Sequence, residues 1–123
     1  MDKRLSRIRS TMLRQHLDAV FISSLPNIIY LTNFSGFSTE DRDAFLFITK
    51  NKQYIFTHGI YKEAVEKFIK DFDLIEIKRE NPVSKLLTDL ISKHTVKTFG
   101  IEEFDLKVSE YKKLLKLVNK KNN

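Results

Sequence analysis

The apolar runs Ala44-Phe45-Leu46-Phe47-Ile48-Thr49 and Gln53-Tyr54-Ile55-Phe56-Thr57 are separated only by Lys50-Asn51-Lys52. Both are dense in the aromatic and β-branched residues that suit a pleated strand. So short a link cannot carry a crossover, which needs about a dozen residues or more, so the two runs must form an antiparallel hairpin. Any sheet this chain builds contains that hairpin, and the other segments have to be arranged around it.

Those segments alternate between strand and helix. Leu5, Ile8 and Met12, with Leu13 alongside, recur at helical spacing over 3–16, and residues 19–23 form a short apolar run suited to a buried strand, with Asp18 at the turn between them. Tyr61, Ala64, Val65, Phe68 and Ile69 repeat at i, i+3, i+4, i+7 and i+8, the strongest helical signal in the chain. Residues 74–78 read as a strand. Pro82 then opens a helix with the stripe Val83, Leu86, Leu87, Leu90 and Ile91, because the first helical turn leaves its N–H groups unpaired in any case. Residues 97–102 read as the last strand. Val108, Tyr111, Leu115 and Val118, with Leu114, give a terminal helix one apolar face before it frays into residues 119–123. Strands and helices in alternation, with one hairpin among them, predict an α/β fold: a three-layer mixed β-sheet with helices on both faces. No repeat, low-complexity tract or Pro/Gly-rich linker divides the chain, so residues 1–123 are expected to form one domain.

Composition narrows the function classes. At 123 residues and 41% hydrophobic, a chain of this size buries roughly two thirds of the surface exposed when unfolded, so it needs no covalent staples. It contains no Cys, which removes disulfide and thiolate-metal chemistry and fits a reducing cytoplasm. No segment approaches the roughly eighteen apolar residues of a membrane span, and the amino terminus is charged throughout, so a soluble, unexported, cytoplasmic protein is expected. The net charge of +6 is concentrated at the two ends, in Lys3, Arg4, Arg7, Arg9 and Arg14, and in Lys107, Lys112, Lys113, Lys116, Lys120 and Lys121. These lysines and arginines interleave with apolar stripes, as on the solvated faces of amphipathic helices. Nucleic acid is disfavoured as a partner, because no aromatic and basic interleaving of the kind that stacks bases is present.

The stretch from Asn27 to Phe37 has its own local logic. Ser23 or Ser24 can cap a short helix, Pro26 sits where an early helical proline is tolerated, and Ile28, Ile29, Leu31 and Phe34 supply a buried side. Asn33 and Gly36 stop it, since Asn accepts a left-handed backbone. A polar loop, Ser35 to Asp43, follows. The three histidines, His16, His58 and His94, lie far apart without an i, i+4 partner, so they form no zinc motif. No nucleophile elbow, phosphate loop or Ser/His/Asp order is present either.

Leu17-Asp18-Ala19, then Asn27 through Tyr30-Leu31-Thr32 and Phe34, then Gly100-Ile101-Glu102 occur in an order and spacing that resembles the amino-terminal domain of the creatinase, prolidase and aminopeptidase P family. The resemblance runs from Arg4 to the last helix. It departs at Asn33, where relatives usually have Gly, and at His58-Gly59-Ile60, where an Asp and an Arg usually precede the helix-opening Tyr. It implies the ribonuclease-H-like motif of that domain and a non-catalytic role in an Xaa-Pro dipeptidase or aminopeptidase, helping dimerisation and narrowing the active-site entrance. Catalysis in the family belongs to a pita-bread domain, absent from these residues, whose two Asp, one His and two Glu hold two divalent metals such as manganese, cobalt or zinc. This chain alone is therefore expected to bind no cofactor or metal and to be inactive, while its parent is a metal-dependent hydrolase. The implied partners are its own catalytic domain, a homodimer mate and short proline-containing peptides. The resemblance also casts loop 35–43 as a lid whose Phe37, Glu40, Asp41 and Arg42 contact substrate, so that removing Phe37 leaves folding intact. The alternatives are a stand-alone peptide- or protein-binding module, since the same fold serves in a histone-chaperone subunit, or a weak nucleic-acid-binding domain.

Overall fold

The computed structural model describes residues 3–122, with the side chains of residues 3–117. In chain order its elements are α1 (Lys3–Arg14), β1 (Ala19–Ile22), α2 (Leu25–Thr32), β2 (Ala44–Thr49), β3 (Gln53–His58), a 3-10 turn (Gly59–Tyr61), α3 (Lys62–Phe68), β4 (Asp73–Ile77), α4 (Val83–Lys93), β5 (Phe99–Gly100) and α5 (Val108–Asn122). The hairpin forms as expected, with Phe45 opposite Phe56 and Phe47 opposite Tyr54. β1 pairs antiparallel with β2, β4 runs parallel to β3 and β5 parallel to β1, giving the order β4-β3-β2-β1-β5. Only β2 runs against the other four strands.

Helices cover both faces of the sheet, which is why β2 is buried along its whole length instead of alternating between core and solvent. Leu46, Ile48 and Ile55 join Leu5 and Met12 of α1, Ile28 and Leu31 of α2 and Val65 of α3 in one core. Phe45, Phe47, Tyr54 and Phe56 join Leu86, Leu87, Leu90 and Ile91 of α4 and Leu114 of α5 in the other. The three-layer α/β architecture read from the sequence is the one observed.

Several details differ from the sequence reading. α3 stops at Phe68, which is 60% exposed, while Ile69 caps the helix and is buried. Pro82 stands just before α4 with an extended ψ of 165°, one step outside the helix. The last strand has only two residues. The largest difference is the roll of α5: Leu114 is buried and Leu117 packs against the core, whereas Val108, Tyr111 and Leu115 face outward. The Val118 side chain and Asn123 lie outside the described residues. α1 and α4 end in left-handed His16 (φ 58°) and Thr95 (φ 53°). At each, paired backbone bonds close the helix: Leu17 N to Met12 O at 2.8 Å with His16 N to Leu13 O at 3.3 Å, and Val96 N to Ile91 O at 2.9 Å with Thr95 N to Ser92 O at 3.3 Å. Asn33 ends α2 in the same conformation, with φ 58°, as its residue type suggested.

His94, at the end of α4, places Nε2 2.7 Å from the Tyr54 hydroxyl. Burial, then the nearby charges of Lys93 and Lys52, hold the imidazole below its ordinary pKa. In the unfolded chain it titrates at about 6.5. Between the two values the unfolded state binds more protons, so this contribution is complete above the unfolded pKa and disappears as pH falls through the folded one. The thermal midpoint is expected to drop as pH falls through about 6.5, the unfolded value, toward the lower folded one, and His94→Gln to flatten that slope in melts followed by circular dichroism.

Candidate functional site

Open α/β sheets bind ligands beyond the carboxyl ends of their parallel strands. Here that edge carries Ser23 and Ser24 after β1, Glu102 beyond β5, and the loop from Asn33 to Asp43 that enters β2. Glu102 ties the end of β5 to the segment that follows β1. Its Oε1 accepts the backbone N–H of Ser23 at 2.7 Å and of Ser24 at 2.9 Å, and its Oε2 accepts the Ser24 hydroxyl at 2.9 Å and the Asn27 amide. Ser24 is the residue that starts α2, but it makes no side-chain cap, because its hydroxyl is given to Glu102.

Arg42 anchors the far end of the loop. Its Nη1 donates to Asp105 Oδ2 at 2.6 Å and to Ser23 O at 3.1 Å, and its Nη2 donates to Asp105 O at 2.8 Å and to Glu110 Oε1 at 2.6 Å. The Ser23 hydroxyl completes the cluster by donating to Asp105 at 2.6 Å. Burial on its own would lower the guanidinium's pKa, but the two carboxylates outweigh it and raise it. Both terminal nitrogens of Arg42 are thus spent on the chain's own acceptors.

Phe37 is also turned inward. It is 4% exposed and makes edge-to-face contacts with Phe34 and Tyr61, both with ring centroids 5.0 Å apart. The Tyr61 hydroxyl donates to Asp43 at 2.6 Å, a bond to the carboxylate that raises the phenol's pKa. Asp43 also accepts Ser38 N at 3.1 Å, and the Ser38 hydroxyl accepts the N–H of Glu40 and Asp41 at 3.1 and 3.2 Å. A Cβ on Gly36 would collide with the Phe34 ring, so the tight path here needs glycine. The loop is held from inside, and Glu40 and Asp41 are left exposed on its outer surface. They border a groove of about 300 Å³ that Pro26, Ser38 and Lys107 also line.

Of the four loop residues singled out from the sequence, Glu40 and Asp41 therefore face solvent, while Phe37 and Arg42 brace the loop. The outward apolar contact expected of Phe37 is not offered, because its ring is buried against those of Phe34 and Tyr61. Tyr30, in α2, is 48% exposed and lies under Arg4, whose guanidinium carbon is 5.5 Å from the ring centroid. Asp105 and Glu110 stand in no motif that would announce their pairing with Arg42. Glu102 stands out in the sequence only as part of Gly100-Ile101-Glu102. Among the described residues, no group of three or more His, Asp or Glu side chains converges as metal ligands would, so these residues do not fit a metal pair.

The family model for the Creatinase/Prolidase N-terminal domain matches residues 4–123. Among solved structures, the aminopeptidase P, an Xaa-Pro aminopeptidase, from Streptococcus thermophilus is 27% identical, with a TM-score of 0.79 over 94% of this chain and 83% of that one. The N-terminal domain of the cytoplasmic peptidase PepQ from Mycobacterium tuberculosis H37Rv is 22% identical, with a TM-score of 0.79 over 97% of this chain and 87% of that one. The Xaa-Pro dipeptidase from Bacillus anthracis is 16% identical with a TM-score of 0.81, and the match covers 94% of this chain but 31% of that one. At those identities the last two show likeness of fold alone. Comparison with curated protein sequences gives no match.

The inward and outward loop residues should separate in stability measurements. Phe37→Ala is expected to lose about 3–5 kcal/mol, the range for deleting a large buried aromatic, whereas Asp41→Asn should change stability by less than about 0.5 kcal/mol. Urea unfolding of the two variants beside the parent chain measures the difference.

Proposed function

The chain belongs to the creatinase/prolidase N-terminal domain family, and from that premise we propose that it acts as the non-catalytic amino-terminal domain of an Xaa-Pro dipeptidase or aminopeptidase. Its roles are to contribute to the dimer and to shape the active-site entrance. The observation that carries this reading is the extent of the family match, which includes every element of the fold, together with a loop held in one shape at the strand ends. Two divalent metals in a separate catalytic domain would activate the water that breaks the bond, and no residue described here is assigned to them. The chain's own contribution is to place substrate. The carboxylates of Glu40 and Asp41 attract the α-amino group of a short peptide, and Lys107 across the groove attracts a carboxylate.

Such contacts act on the bound substrate and its transition state alike, so their loss raises KM and leaves kcat in place. The test joins residues 4–123 to the catalytic portion of the Bacillus anthracis dipeptidase and compares the chimera with its Glu40→Gln, Asp41→Asn double variant. A KM for Xaa-Pro dipeptides several-fold higher in the variant, with kcat kept, is expected. Identical kinetics would separate the loop from substrate selection. The isolated chain should hydrolyse no Xaa-Pro dipeptide with manganese, cobalt or zinc added, and metal-dependent turnover by it would overturn the non-catalytic assignment.

A further inference from the structure

α5 carries an apolar seam that no described part of the fold covers. Phe104, in the turn before the helix, is wholly exposed, and Val108, Tyr111 and Leu115 are 70%, 44% and 40% exposed. Within α5, Val108, Tyr111 and Leu115 follow at three and then four residues, the spacing of successive a and d positions along a coiled-coil helix, and Phe104 extends the patch from the turn before it. At 100° per residue, Val108, Tyr111 and Leu115 fall within roughly 60° of the helix circumference. The helix cannot roll to bury them without cost. Leu114 and Leu117 on its inner side belong to the core, and Glu110 is held by Arg42 at 2.6 Å.

The charges beside the seam select among occupants. Lys112 and Lys116 are exposed along one border and Lys107 is exposed at its start, against one exposed acid, Glu103, since Asp105 and Glu110 are paired with Arg42. A second copy of this chain docked seam to seam would bring its own lysines toward these, which is unfavourable for like charges at the flanks of a helix pair. A membrane surface favours a broad apolar face with lysines on the opposite polar side, whereas this seam is narrow and the opposite side of α5 is packed on the domain. A narrow stripe at heptad spacing fits the knobs of another helix, and flanking lysines fit acids on that helix.

We propose that Phe104, Val108, Tyr111 and Leu115 form the docking seam for an amphipathic helix of a partner protein whose apolar stripe is flanked by Asp or Glu. This goes beyond the peptidase reading and does not depend on it.

Two synthetic three-heptad peptides test the proposal. Both carry Leu at a and d, one with Glu and the other with Lys at the flanking positions. Each is titrated into the full chain by calorimetry, with amide shifts recorded by NMR. The Glu-flanked peptide should bind at least about tenfold tighter than the Lys-flanked one, weaken with added salt and shift the amides of α5. Tyr111→Ser with Leu115→Ser should abolish binding while the thermal melt stays unchanged, and Lys112→Glu with Lys116→Glu should reverse the preference between peptides. Binding of neither peptide, or of both equally, overturns the proposal. So does sedimentation as a dimer that the Tyr111→Ser, Leu115→Ser variant dissolves, or binding to phosphatidylserine vesicles that the same variant abolishes, since each assigns the seam to a different occupant.

Discussion

The carboxylate of Glu102 holds together parts of the chain that the sheet alone would join weakly. β5 adds only Phe99 and Gly100 to the ladder beside β1, yet the turn that follows and α5 depend on that strand for their position. Glu102 compensates by taking two backbone N–H groups and two side-chain donors from the segment that starts α2. At the other end of β5, Asp18 accepts the N–H of Lys97 and Thr98 at 2.8 and 3.2 Å. The Lys97 bond is the main reason its carboxyl group stays below the usual range. Hydrogen bonds to charged groups contribute about 1.5–3 kcal/mol each, more than neutral ones. A two-residue strand is thereby fixed at both ends by an acid.

From this clamp the order spreads to the loop and to the last helix. The turn after Glu102 brings Asp105 to Arg42, and Arg42 reaches on to Glu110 in the first turn of α5. The same guanidinium therefore sets the far end of loop 35–43 and the roll of α5. One consequence is a loop that shows Glu40 and Asp41 but not Phe37. The other is a helix that shows Val108, Tyr111 and Leu115 but not Leu114. The exposed acids and the exposed seam are two results of one partly buried charge cluster.

The strands were legible because their signals are local. A three-residue link between two aromatic runs admits only a hairpin, and a run buried on both faces reads as continuous apolar sequence. α4 was legible for a related reason: its four inward leucine and isoleucine side chains form one unbroken stripe. α5 carries apolar residues on two sides, and the choice between them is made by a contact between Arg42 and Glu110, 68 positions apart, which no periodicity reports. Phe37 departs from its expected place because it stands in a polar sequence, while the rings packed on it come from Phe34, just past the end of α2, and from Tyr61 in the turn before α3. The left-handed ends at His16 and Thr95 carried no Gly or Asn to announce them, unlike Asn33. Glu102 was visible as a residue of a recurring pattern, but its partners lie 75 to 79 positions away.

The most direct measurement is amide hydrogen exchange on Glu102→Gln beside the parent chain, with global stability from urea unfolding. Glutamine keeps the size of the side chain but turns one acceptor oxygen into a donor facing the Ser24 and Asn27 donors. Stability is predicted to fall by about 2 kcal/mol. Protection should drop together at Ser23, Ser24, Gly100 and α5, while the β2–β3 hairpin keeps its protection. Unchanged stability, with α5 exchanging as slowly as before, would contradict the role given to this carboxylate.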